Sequence, residues 1–272
     1  ILRCLVGSEM CIRDRLVCRR HCGTMFRNFC RSGMTPDDRY SHGITAMSRT
    51  LSFSVAGADG RVENLAVQTE KLVIAGMTGR DKAKVQEHLD ELAELGIAGP
   101  STIPIYYPLS PTLVTQADAI TVVGSDSSGE VEAMLIGTPR GMLVTVASDH
   151  TDRKAEAYSI HLSKQLCAKP IAGEAWWYAD VAERWDSLTL RADQDGELYQ
   201  EGDCTAMLPP AEIIRGACGA DELPPGWVMP LGTLPVHGGI RSGREFKMTL
   251  ADPQTGRTIE HAYCATVIPT SE

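Results

Sequence analysis

The chain has 272 residues, 43% of them hydrophobic and 22% charged, with 25 glycines and 15 prolines. That composition excludes disordered, collagen-like and coiled-coil chains, and it leaves enough length to bury a core in one large or two small domains. A net charge of −9 excludes a general nucleic-acid-binding surface, which needs a basic patch, and no run of about 18 apolar residues is present to cross a membrane as a helix.

Residues 1–46 differ from the rest of the chain. They hold eight Lys/Arg, four Asp/Glu and five of the nine cysteines, which leaves 18 basic and 31 acidic residues for 47–272. Cys18, His21, Cys22 and Cys30 are conceivable zinc ligands, but no CxxC pair is present and the spacing fits no standard finger. No clean apolar core marks a targeting peptide. Met10-Cys11-Ile12-Arg13-Asp14-Arg15 reads instead as the translation of ATG TGT ATA AGA GAC AG, part of a transposase adaptor used in sequencing libraries. Residues 1–46 are therefore expected to be a non-native or disordered leader of adaptor-like read-through, with Met34 or Met47 as the start and 47–272 as a single domain. The scattered Cys167, Cys204, Cys218 and Cys264 read as reduced thiols of a cytoplasmic protein.

Leu51–Val55 alternates apolar and polar residues and runs into an Ala-Asp-Gly-Arg turn, a hairpin signature. Lys71–Met77 is a short apolar run, read as a buried strand. Over Asp81–Leu95, Val85, Leu89, Leu92 and Leu95 form an apolar stripe, with Thr78 or Asp81 as cap and Gly96 as stop, so a helix is predicted. Residues 99–111 carry four prolines and read as an irregular connector. Glu130–Ile136 and Met142–Ala147 are strands joined by Gly-Thr-Pro-Arg-Gly, a second hairpin. Ser159–Leu166 and Pro210–Gly216 read as short helices. Ser187–Ala192, Glu197–Gln200, Lys247–Leu250 and His261–Ile268 read as strands, with Asp195-Gly196 as a turn. Many short strands and few helices predict a β-rich α+β fold.

The second hairpin carries the chemistry. Glu130 and Glu132 are two apart on a strand and leave it from one face. If the hairpin pairs symmetrically about Pro139, Glu132 faces Val146, Glu130 faces Ser148, and Asp149 follows the strand end. Three carboxylates then converge, and unpaired they would repel. A hard divalent cation, Mg2+, Mn2+ or Ca2+ rather than Zn2+, relieves that repulsion; a solvated sheet face is the plainer alternative. His88 and Glu91 share a helix face, so the carboxylate can orient the imidazole as a general base; an exposed helix of mixed charge is the alternative. Lys164 by default is solvated surface, and Gly232-Thr233 in Pro-Leu-Gly-Thr-Leu-Pro by default is a turn. GxSxG, Walker A, HExxH and GxGxxG motifs are absent from the sequence.

Taken in order, these segments resemble the fumarylacetoacetate hydrolase superfamily, which carries an ExE strand, an Asp segment ending in Arg, a lysine and a late Gly-Thr. Glu130-Val131-Glu132 corresponds to the ExE, and Ser148-Asp149-His150-Thr151-Asp152-Arg153 to the Asp segment. Ser163-Lys164 corresponds to the lysine and Gly232-Thr233 to the late motif. Ser128–Glu132, Ser148–Arg153 and Leu198–Gly202 are also similar to signatures of the uncharacterised domain of unknown function 2848 family.

The resemblance implies a mixed β-roll or sandwich of the fumarylacetoacetate hydrolase C-terminal type, assembled as a homodimer. It implies Mg2+ or Mn2+ on Glu130, Glu132 and Asp149, and a metal-stabilised enolate of a small 2-oxo acid or β-diketo acid. Hydrolysis, decarboxylation or hydration would follow. Lys164 and Thr233 would bind substrate oxygens, Arg153 would neutralise a carboxylate, and His88 with Glu91 would activate water. The spacing from Gly76 to His88 is longer than the family's, Glu156 stands where a Gln is usual, and Asp152 is a rival ligand. The partner implied is a small 2-oxo acid, with neither nucleic acid nor membrane. The alternative is a catalytically inactive metabolite-binding or structural homodimer that keeps the fold.

Overall fold

The computed structural model describes residues 48–83, 85, 86, 90 and 102–271. The leader expected over 1–46 and most of the helix expected over 81–95, with His88 and Glu91, lie outside the described residues. In chain order the strands begin with β1 (Arg49–Ala56), β2 (Val62–Thr69), β3 (Lys71–Gly76), β4 (Ile105–Leu109), β5 (Val114–Thr115), β6 (Ala119–Val123) and β7 (Ser127–Ser128). There follow β8 (Val131–Thr138), β9 (Gly141–Ser148), β10 (Thr151–Asp152), β11 (Lys169–Pro170), β12 (Glu174–Trp177) and β13 (Thr189–Gln194). The last are β14 (Glu197–Asp203), β15 (Trp227–Thr233), β16 (Glu245–Asp252) and β17 (Arg257–Ile268). Short helices α1 (Arg153–Glu156), α2 (Ile160–Gln165) and α3 (Pro210–Cys218) interrupt them. None of the described helices is long and apolar enough to cross a membrane.

An eight-stranded sheet runs β2-β1-β12-β9-β8-β15-β3-β4, and a five-stranded sheet runs β14-β13-β16-β17-β6. Both are mixed: β1 with β12, β15 with β3 and β17 with β6 are parallel, among otherwise antiparallel pairs. One core lies between the sheets, where Ala133, Leu135 and Val144 meet Leu190, Met248 and Leu250. A second core covers the other face of the large sheet. Phe53 of β1, Met134 of β8 and Tyr107 of β4 share it, so strands near both ends of one sheet meet in one cluster and the sheet curls around it. The β-rich roll expected from the sequence is the architecture found.

Three expectations are corrected. Residues 99–111 are not wholly irregular, because Ile105–Leu109 forms β4 and pairs with β3. Pro108 is tolerated there because β4 is an edge strand, where one row of N–H groups needs no partner. Gly232-Thr233 is not a turn but the end of β15, an inner strand whose ladder to β8 shifts between Pro230 and Thr233. The β8–β9 hairpin pairs Val131 with Ser148 and Thr138 with Gly141, so Pro139-Arg140 is a two-residue turn. Glu132 therefore faces Ala147 rather than Val146, and Val131 rather than Glu130 faces Ser148. Pro139 pre-sets the negative φ of a turn's first central position and Gly141, at φ +113°, resumes the strand, so the turn centres between Pro139 and Arg140 rather than on Pro139.

Candidate metal centre

Every residue of β8 is buried, and alternation sends Glu130 and Glu132 to the face that carries Met134. Asp149 follows the last residue of β9, on the face of Leu143 and Ala147. Its N–H donates to Glu130 O at 3.0 Å and closes the open end of the hairpin. One carboxylate oxygen from each of Glu130, Glu132 and Asp149 lies within 4.8 Å of the others. The one-residue change of register leaves this convergence intact.

Each carboxylate is held differently. Glu132 is 2% exposed, and its Oε2 accepts the Gly232 N–H at 2.7 Å. Burial, then the charges of Asp149 and Glu130, push its pKa well above the usual carboxylate range. Glu130 Oε1 accepts from Arg153 Nη2 at 2.9 Å, and its Oε2 lies 3.3 Å from Lys164 Nζ. Burial favours its neutral form, but Lys164 and Arg153 outweigh burial and hold its pKa low. Asp149 is fully buried; Lys164 Nζ bonds its Oδ2, and Lys169 Nζ lies 2.8 Å from its Oδ1. Burial would raise its pKa, yet the two lysines pull it down to about 2.

Gly232 supplies its amide through a backbone only glycine accepts. Its φ is +103°, and a Cβ there would lie 1.8 Å from Thr78 Oγ1. Thr78 is fixed in turn by donating to Leu231 O at 2.8 Å.

Lys164 is not solvated surface: it is 6% exposed, on α2, and Ser159 caps that helix. Burial opposes its charge, but Asp149 and Glu130 keep it protonated. Arg153 donates to Glu130, to Glu156 Oε2 at 2.9 Å and, through Nε, to Ser128 Oγ at 2.7 Å. Thr233 Oγ1 donates to Val131 O at 2.8 Å and accepts from Gln200 Nε2 at 2.8 Å. Asp152, the rival ligand, accepts from Ala155 N at 2.8 Å and caps α1. Thus Glu130, Glu132, Asp149, Arg153 and Lys164 come together, with Thr233 beside them on β15. No sequence motif marks Lys169 or the Gly232 amide. The one available signal was a lysine inside the apolar run Leu166-Cys-Ala-Lys-Pro-Ile-Ala172, since a buried ammonium needs a partner.

The donor set suits a hard divalent cation: all oxygen, three carboxylates, two of them buried and the third partly so. Glu132 is the telling member: burial first, then the charges of Asp149 and Glu130, disfavour its ionised form against the pull of Lys164, and a bound cation would offset both.

The family described as "protein of unknown function (DUF2848)" matches residues 75–263. No curated protein sequence matches the chain. Among solved structures, a protein from Yersinia pestis with a provisional fumarylacetoacetate hydrolase family name is 20% identical. That match covers 78% of this chain and 100% of that one, with a TM-score of 0.55. A yeast fumarylacetoacetate hydrolase family protein is 16% identical over 74% of this chain and 95% of its own, TM-score 0.55. The 5-carboxymethyl-2-hydroxymuconate delta-isomerase of Mycobacterium smegmatis is 15% identical over 82% of this chain and 100% of its own, TM-score 0.52. These likenesses establish a shared fold.

Proposed function

The chain belongs to the DUF2848 family, and from that premise we propose that it is a metal-dependent hydrolase or lyase of a small 2-oxo acid or β-diketo acid. The observation that carries this reading is the triad of half-buried Glu130 with buried Glu132 and Asp149. Those three residues would hold Mg2+ or Mn2+. Such an ion, when bound, supplies Lewis acidity that polarises a carbonyl and stabilises an enolate.

The chain's own groups do the rest. The Gly232 amide orients Glu132, Arg153 orients Glu130, and Lys169 keeps Asp149 ionised. Arg153 spends three nitrogens on protein partners, so its part in this reading is to position Glu130. Lys164 offers a buried ammonium that is shared between two carboxylates and can turn to a substrate oxygen. His88 and Glu91 are the proposed base that takes a proton from water. A 2-hydroxymuconate, for which the Mycobacterium smegmatis isomerase is named, is the enol of a 2-oxo acid, and this supports an enol-forming site. A cytoplasmic homodimer belongs to the same proposal.

The test is turnover of a panel of acylpyruvates with and without Mn2+. Activity that needs the ion, is competitively blocked by oxalate and is lost in a folded Glu132→Gln variant is the expected result. Turnover that survives chelation of all divalent ions sinks the reading.

A further inference from the structure

Sequence patterns give no sign of Tyr107, yet the fold carries it to the triad. It lies on β4 opposite Ile74 of β3 and is 7% exposed. Its side chain belongs to the apolar layer of Met134 and Leu143, the face of the large sheet from which Glu130, Glu132 and Asp149 also project. The ring does not stay over its own partner. A Cβ on Gly76, two residues beyond Ile74, would lie 2.9 Å from Tyr107 Cε2. The hydroxyl end therefore leans along β3 towards Thr78 and the Gly232 amide that holds Glu132.

Helix α2 covers the same space. The His161 ring lies 5.5 Å from the Tyr107 ring, and His161 Nε2 is 2.8 Å from Pro108 O. Ser110 N also donates to Gln165 Oε1 at 3.1 Å, a second tether between α2 and the end of β4. Lys164 follows His161 by three residues, on the same side of the helix, with its ammonium on Glu130 and Asp149. Tyr107 and Lys164 thus border one space beside the triad.

The Tyr107 hydroxyl has no hydrogen-bond partner among the described residues. Burial raises its pKa, and the charges of Lys164, Glu156 and Asp149 all act on it, so it stands protonated within the field of the site. It is not one of the enclosed side-chain oxygens that lack a partner, so this hydroxyl, on a residue only 7% exposed, opens onto accessible space where a bound molecule can pair with it.

We infer that Tyr107 is a substrate-contacting residue: its hydroxyl donates a hydrogen bond to an anionic oxygen of the oxo acid bound at the triad, and its ring walls the site on the β4 side. The inference rests on the proposed function above. Mn2+ and then oxalate, as an enolate mimic, are titrated by calorimetry into the full chain and into Tyr107→Phe. The two proteins are expected to bind Mn2+ alike, which also shows that the variant is folded. The variant is expected to bind oxalate about tenfold more weakly, the scale of one lost hydrogen bond to a charged oxygen. Equal oxalate affinities overturn the assignment of Tyr107 and leave the functional reading standing. Weaker Mn2+ binding by the variant also overturns it, because Tyr107 would then act on the metal ligands. No Mn2+ binding by the parent overturns the functional reading, and this inference with it.

Discussion

The β8–β9 hairpin carries a buried polar cluster on each face, and the two satisfy their groups by opposite means. Towards the five-stranded sheet, His150 Nδ1 meets Tyr263 Oη at 2.9 Å, His150 Nε2 meets Ser127 Oγ at 2.9 Å, and Tyr263 Oη meets Ser148 Oγ at 2.8 Å. Every member is neutral: burial lowers the His150 pKa to about 3 and raises that of Tyr263. Phe246 stacks on Tyr263 with ring centroids 4.9 Å apart and closes the cluster with apolar surface. On the opposite face three carboxylates meet two lysines and an arginine, and Glu132 is left in a field that disfavours its charge. A self-satisfied neutral network contributes stability and fixes geometry. A charged cluster with residual repulsion costs stability, and such clusters mark places where a ligand completes the balance.

The largest break in this contrast comes from Gly232→Ala. A side chain at φ +103° that also overlaps Thr78 Oγ1 is expected to cost about 2–4 kcal/mol in urea unfolding. Mn2+ affinity should fall with it, because the Gly232 amide orients Glu132. Unchanged stability would mean that the local backbone relaxes freely and that the amide is not held in place.

The second effect is a pH dependence in which the two faces oppose each other. His150 has a folded pKa of about 3 against an ordinary 6.5, so the unfolded chain takes up its proton first and stability falls as pH drops from 6.5 towards 3. Glu132 has a raised folded pKa, so the folded chain holds its proton longer and stability falls as pH climbs above 4.5. In the metal-free chain these slopes oppose each other between pH 4.5 and 6.5. Each proton difference is worth up to about 1.4 kcal/mol per pH unit. Glu132→Gln should leave stability rising with pH in that window, and His150→Gln should leave it falling. Slopes that match the parent in both variants would mean that neither group titrates as its surroundings require.

The smallest effect isolates the neutral face. Tyr263→Phe keeps the ring and removes one hydroxyl that bonds Ser148 and His150. A loss of about 1–2 kcal/mol in chemical unfolding is expected, with Mn2+ binding retained. If Mn2+ binding were lost as well, the two clusters would be one functional unit and the contrast would fail.

Much of this was legible in the sequence because local chemistry decided it. The ExE spacing put Glu130 and Glu132 on one face, and the hairpin signal brought Asp149 back beside them, even though the turn was placed half a residue away. What stayed hidden depends on distant contacts. Lys164 and Lys169 read as ordinary lysines until tertiary packing encloses them against Asp149. β4 hid behind its prolines because edge position, which excuses Pro108, is a property of the whole sheet. Gly232 hid because its role is carried by a backbone N–H, and Tyr107 because its value lies in what four strands place beside it.

The central claim is that the charged face of the hairpin binds a divalent cation. Mn2+ titrated by calorimetry into the metal-free chain and into Asp149→Asn tests it most directly. The account predicts one ion per chain in the parent and an affinity lowered by more than about 100-fold in the variant, beyond what loss of an outer-shell partner costs. Identical isotherms in the two proteins, or no binding by the parent, would contradict it.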